Sequence, residues 1–205
     1  MYRFAAAALA VALCLALVST AQAGKGKFNK KVSIGDTAPT FSNLPGVDDK
    51  KHSLADYKDK DVVVLVITCN HCPVAVAYED RIVELTRKYA PDPSSKVAVV
   101  AINVNNIPQD RLDKMKERAK SKGFNFPYLY DESQKIGRAL GATVTPEIFV
   151  LNKERKIVYT GSLDDSQNAS RVKHKYVEDA IDATLKGEAV KTAETRPFGC
   201  GIKYE

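Results

Sequence analysis

Cysteine is scarce in this chain. Four occur in 205 residues, and one of them, Cys14, lies in the first apolar stretch, leaving Cys69, Cys72 and Cys200. Three cysteines cannot pair completely within one chain, so a fully stapled framework is excluded. In an exported protein an odd count points to a reactive thiol or an intermolecular bond. A structural zinc site lacks its second ligand pair at suitable spacing. There is no internal repeat, and after the first stretch no run is long and apolar enough to span a bilayer. Excess positive charge is modest, with a net charge of +6. The lysines (Lys25, Lys27, Lys30, Lys31, then several in 114–122) have no aromatics between them. That pattern reads as a solvated surface and not as a nucleic-acid-binding face.

What is present begins with MYRFAAAALAVALCLALVSTAQA: one positive charge at Arg3, an apolar run over 4–18, and Ala21-Gln22-Ala23. The A-x-A ending predicts a signal peptide cleaved after Ala23. The apolar run is short for a membrane span, which needs ~20 residues. A lipoprotein site at Cys14 fits poorly, because Leu13 stands where Gly or Ala is needed. The expected location is therefore secreted or periplasmic, where thiol pairs persist as disulfides.

Residues 24–33 are polar, basic and Gly-containing, and read as a flexible lead-in. One domain is expected over 34–187, followed by a C-terminal tail, 188–205, that carries Cys200. Residues 61–67 (DVVVLVI) are apolar at every position after Asp61, as in a strand buried on both faces. From Pro73 the period becomes helical, with Val74, Tyr78, Ile82, Leu85 and Tyr89 on one face and a stop near Ala90, before Pro91. A second buried strand at 96–103, a charged helix at 109–122, a short strand at 127–130 and a short helix at 133–140 follow. A hairpin of 147–151 with 156–160 and a helix at 176–186 complete the pattern. The last helix should turn Val177, Ala180, Ile181, Thr184 and Leu185 inward. Alternating strands and helices ending in an antiparallel hairpin predict an α/β sandwich with a central mixed sheet.

Cys69 and Cys72 sit in TCNHCP, at the junction of the first buried strand and its helix. Unpaired N–H groups and the positive end of the helix dipole favour a thiolate there. Cys69, just before the helix, should be the exposed attacking thiol, and Cys72, in the first turn, the resolving one. No cofactor is required beyond a redox-active Cys69–Cys72 disulfide, and no metal is assigned. His71 either tunes the thiolate as a protonated neighbour or points into solvent. Cys200, in PFGCGIKYE, is either a third redox thiol on a flexible tail or a buried, inert cysteine. Asp164 and Asp165 read as a solvated acidic turn, Tyr128 and Tyr130 as core or rim, and His52 and His174 as surface residues. Asn168-Ala169-Ser170 is a sequon, meaningful only in a eukaryotic secretory pathway.

A strand, C-x-x-C-P at a helix start and Val144-Thr145-Pro146 before the hairpin together resemble the thioredoxin fold. The ordered set GDTAPTF (35–41), CNHCP (69–73), PYLYDE (127–132), TPEIFV (145–150), YTGSLDDS (159–166) and GCGIK (199–203) narrows this. It resembles the redoxins related to alkyl-hydroperoxide reductase and thiol-specific antioxidant proteins, in the peroxiredoxin-like group with a C-x-x-C. The resemblance implies that Pro146 is cis, lies against the disulfide, and that the Thr145 backbone pairs with substrate. It implies a thiol–disulfide oxidoreductase acting on a protein thiol or disulfide partner. Two features of the wider family are missing. The peroxidase pattern P-x-x-x-T-x-x-C would place Pro and Thr where Val62 and Val66 stand, or Leu65 and Cys69 if counted from Cys72. The buried acid of thioredoxins falls on Val63. Two other activities are therefore weighed beside the oxidoreductase. One is a peroxiredoxin-like peroxidase. The other is a Cu(I)-binding chaperone with Cys69 and Cys72 as soft ligands and His71 or His174 as a third.

Overall fold

The computed structural model describes residues 26–205, so the predicted signal peptide and its cleavage point lie outside the described residues. In chain order the elements are β1 (Leu44–Pro45), β2 (Lys51–His52), β3 (Val62–Thr68), α1 (Pro73–Tyr89), β4 (Val97–Asn103), α2 (Leu112–Lys122), β5 (Tyr128–Tyr130), α3 (Lys135–Leu140), β6 (Val144–Thr145), β7 (Glu147–Leu151), β8 (Ile157–Gly161), α4 (Tyr176–Leu185) and β9 (Cys200–Gly201). The main sheet has the order β5-β4-β3-β7-β8. β3 is its centre, parallel to β4 and antiparallel to β7. No helix among the described residues is long and apolar enough to cross a membrane.

The uninterrupted apolar run of β3 follows from its central place. Successive side chains point to opposite faces, and both faces are covered. Val62, Val64 and Val66 meet Tyr78, Ile82 and Leu85 of α1, Met115 of α2 and Val177 and Ile181 of α4. Val63, Leu65 and Ile67 join a second core with Val32, Phe41, Leu54, Ile136 and Leu140. All seven β3 residues are buried. Each fully buried Val, Leu or Ile contributes ~1.5–3 kcal/mol of transfer free energy, so this strand anchors what precedes and follows it.

Several local expectations shift. The inward stripe of α1 also takes in Ala75, Glu79 and Thr86, while Val74 and Tyr89 are only partly buried. Glu79 is tolerated in the core because Arg118 donates to both its oxygens, at 2.8 and 2.7 Å. The charged helix begins three residues late. Pro108–Asp110 form a 3₁₀ turn, and α2 starts at Leu112, ending at Gly123 in the left-handed conformation. Leu185, placed inward by periodicity, is 42% exposed in the last turn of α4.

The lead-in is not loose where it is described. Asn29 is buried; its amide donates to the Leu140 carbonyl at 2.8 Å, and its Oδ1 accepts from the Lys31 and Val32 N–H groups. The Asp164 carboxylate is also buried and not solvated, bound by Arg81 Nη1 at 2.5 Å and by the Tyr78 hydroxyl at 3.2 Å. The neighbouring Asp165 is exposed, as expected.

Candidate active site

β3 ends at Thr68, and the next four residues cross the top of the sheet to α1. Pro73 occupies the first helical position, which leaves Cys72 as the N-cap and not inside the first turn. The Ala75 N–H donates to Cys72 Sγ at 3.4 Å. Opposite this junction the chain passes through Val144-Thr145-Pro146, and the Thr145-Pro146 peptide bond is cis. Thr145 is in contact with both sulfurs. Its hydroxyl oxygen is 3.2 Å from Cys69 Sγ, and its carbonyl oxygen is 3.2 Å from Cys72 Sγ.

The disulfide is where the structure departs from the spacing argument. Cys72 is bonded to Cys200, with a Cα–Cα distance of 5.9 Å, and Cys69 is the free thiol. The expected Cys69–Cys72 bond is absent in this state because the C-terminal segment is an ordered strand and not a loose tail. β9 pairs antiparallel with β6, setting Cys200 opposite Thr145 and Gly201 opposite Val144. Beyond it, the Ile202 N–H donates to the Thr143 carbonyl at 3.0 Å. The Lys203 N–H donates to Asn105 Oδ1 at 2.8 Å, and the Tyr204 hydroxyl donates to the Ala142 carbonyl at 2.9 Å. Cys200 is thus neither a flexible thiol nor a lone buried one.

Cys69 is not the exposed nucleophile expected of it. It is 2% exposed and packs with Cys72, Ala75 and Cys200. Burial pushes its thiol above the usual range, and the Asp110 charge adds to that. The Thr145 hydroxyl and the Cys72 and His71 N–H groups pull the other way. The thiol form is therefore favoured at rest.

His71 is a quarter exposed and turns neither to solvent alone nor to Cys69. Its Nδ1 lies 2.5 Å from Asp110 Oδ2. Asp110 is fully buried, and its other oxygen accepts the Asn70 N–H at 2.7 Å and the His71 N–H at 3.2 Å. The Asn70 amide donates to the Gln109 carbonyl, while the Tyr128 hydroxyl donates to Asn70 Oδ1 at 2.9 Å. One carboxylate therefore sets the conformation of the CNHC loop, with Tyr128 closing the far side. Nothing in the sequence singled out Asp110, because an acid at a helix start is ordinarily explained by the helix dipole.

A second buried acid lies beside the cis-proline without a signal in the sequence. Glu147, directly after Pro146, is 2% exposed. Burial pushes its carboxyl up to about 7, against bonds from the Thr143 and Val144 backbone. The Thr143 N–H donates to it at 2.9 Å.

Cys69, His71 and Asp110 hold their ligand-type atoms within 4.8 Å of one another. In this state Nδ1 and the carboxylate serve each other. Cys72, in its disulfide, has no thiolate to offer a Cu(I) ion, and the exposed ring of His174 stacks on Tyr176 outside this cluster.

Comparison with known proteins places this arrangement. The Redoxin family model matches residues 33–181. A hypothetical protein from Sinorhizobium meliloti is 33% identical with a TM-score of 0.79, covering 86% of this chain and 97% of its own. An uncharacterized conserved protein from Geobacillus kaustophilus is 36% identical with a TM-score of 0.77, covering 84% and 92%. A peroxiredoxin-like protein from Mycobacterium tuberculosis is 26% identical over 144 residues, 62% of this chain and 83% of its own length. Thioredoxin-family structures at lower identity share the fold. With its mixed sheet, its C-x-x-C junction and its cis-proline, the chain belongs to the redoxin family, the thioredoxin-fold oxidoreductases related to alkyl-hydroperoxide reductase and thiol-specific antioxidant proteins.

Proposed function

We propose that the protein is an exported thiol–disulfide oxidoreductase of the cell envelope, secreted or periplasmic, whose three cysteines share one disulfide. The observation that carries this is the contact of both C-x-x-C sulfurs with Thr145 while Cys72 is bonded to Cys200. Cys69, as thiolate, attacks Cys72 Sγ. The Cys69–Cys72 bond forms, the Cys72–Cys200 bond breaks, and Cys200 leaves as a thiolate that takes up the proton Cys69 has lost. No electrons enter or leave in this step. The Cys69–Cys72 disulfide then exchanges with a protein dithiol, which loses two electrons and two protons as the pair gains them. His71 and Asp110 position the loop, and Thr145 and Pro146 form the cleft that the partner chain enters. The apolar, A-x-A-ending sequence of residues 1–23, read as a leader, supports export, which would place the chain where such disulfides persist.

The test is disulfide mapping of the mature protein in glutathione buffers of graded potential. Expected is a Cys72–Cys200 bond in the oxidised wild type and a Cys69–Cys72 bond in Cys200→Ser, with both proteins catalysing exchange in a model protein substrate. Peroxide consumption faster than that exchange would favour a peroxidase instead. Loss of all activity in neither Cys69→Ser nor Cys72→Ser would remove the site from the reaction.

A further inference from the structure

We propose that residues 199–201 occupy this protein's own substrate cleft, and that the cleft takes an extended polypeptide whose reactive cysteine directly follows a glycine. The inference rests on exchange taking place at Cys72. β6 is only two residues long, and β9 is its sheet partner. With β9 in place Thr145 is 1% exposed, so the backbone groups that β9 covers are taken out of water and paired by an extended chain. β9 supplies that chain and delivers a sulfur to Cys72 in the same register, Thr145 opposite Cys200. A partner strand that added to this edge would present its cysteine in the same way, with main-chain bonds giving affinity and side-chain space giving selectivity.

The space on the two sides of Cys200 is unequal. A Cβ built on Gly199 overlaps the Thr145 carbonyl oxygen and carbon and crowds Pro146 N at 3.1 Å, all backbone atoms with no rotamer to yield. A Cβ on Gly201 meets nothing within 4 Å. The residue before the cysteine must therefore lack a side chain, and the residue after it is free.

Two full-length measurements test this. In a Cys69→Ser background, where Cys72–Cys200 is the sole pair at the site, the equilibrium of that bond with glutathione is measured for Gly199→Ala and Gly201→Ala. Overpacking against fixed backbone predicts a loss of about tenfold or more for the first and no significant change for the second. In Cys69→Ser/Cys200→Ser, which keeps both glycines, mixed-disulfide formation at Cys72 is followed by mass spectrometry. The probes are oxidised peptides built on Phe-Gly-Cys-Gly-Ile, Phe-Ala-Cys-Gly-Ile and Phe-Gly-Cys-Ala-Ile. Expected is reaction of the first and third and about tenfold less of the second. Equal reaction of all three, or an indifferent Gly199→Ala, overturns the glycine rule while leaving exchange at Cys72 standing. Failure of glutathione at any potential to open Cys72–Cys200 in Cys69→Ser would instead remove the exchange reading on which it rests, and failure of every peptide in a variant that glutathione does modify would overturn the cleft proposal.

Discussion

Replacing Glu147 by Gln should stabilise the protein at alkaline pH and do little in acid. The carboxyl lies next to the cis-proline, opposite Ile67 across the β3–β7 ladder, and is 2% exposed. Burial lifts it from 4.5 to about 7, because the Thr143 and Val144 backbone only partly offsets the loss of water. The native state thus keeps a proton that the unfolded chain has already released between those values. Stability from this group is fully present below about pH 4.5 and is lost as pH rises through about 7. At ~1.4 kcal/mol per pKa unit, the span corresponds to about 3 kcal/mol. Glutamine does not titrate, and its amide oxygen can still accept the Thr143 N–H. Urea unfolding of both proteins with Cys72–Cys200 intact should therefore show a gap in unfolding free energy that opens by about 3 kcal/mol, in favour of Gln, from acid to alkaline pH. Comparing the two proteins cancels the other titrating groups. A gap that stays constant, or narrows toward alkaline pH, would refute the reasoning.

Other outcomes follow from the same site. Asp110→Asn should lower the pH midpoint for alkylation of Cys69 in the oxidised protein, since the carboxylate charge goes while burial, the larger cause, remains. It should also cost about 2–3 kcal/mol of stability, read from urea melts, because the loop loses a charged acceptor; a midpoint moving upward would contradict it. Cys200→Ser opens a bridge between residues 128 apart in sequence, worth up to about 5 kcal/mol in the loop-entropy picture. An unchanged denaturation midpoint relative to the oxidised wild type would show that the bridge does not constrain the unfolded chain.

The sheet was legible because β3 and β4 are buried on both faces and are apolar at every position but their last, Thr68 and Asn103. The C-x-x-C junction was legible because a strand end and a helix start depend on neighbours in sequence, and the cis-proline at 146 was legible only through the family resemblance. What escaped was non-local. Asp110 reaches the CNHC loop across some forty residues of chain, and its partners are mostly backbone N–H groups, which leave no trace in residue type. Glu147 sits in a strand opening that looks unremarkable until its burial is known. The tail, with two glycines around one cysteine, carries the composition of a loose end; it is held instead by hydrogen bonds to Thr143, Asn105 and Ala142. Its glycine at 199 permits close approach and not mobility.

Those anchors beyond Cys200 have a kinetic consequence. When Cys69 displaces Cys200 from Cys72, the freed thiol remains fastened through Ile202, Lys203 and Tyr204. Its return is a first-order event at an effective concentration of mM or higher, the range of short tethers. The internal exchange should therefore relax at a rate that dilution of the protein does not change. A partner thiol in solution must outcompete a rival that never diffuses away.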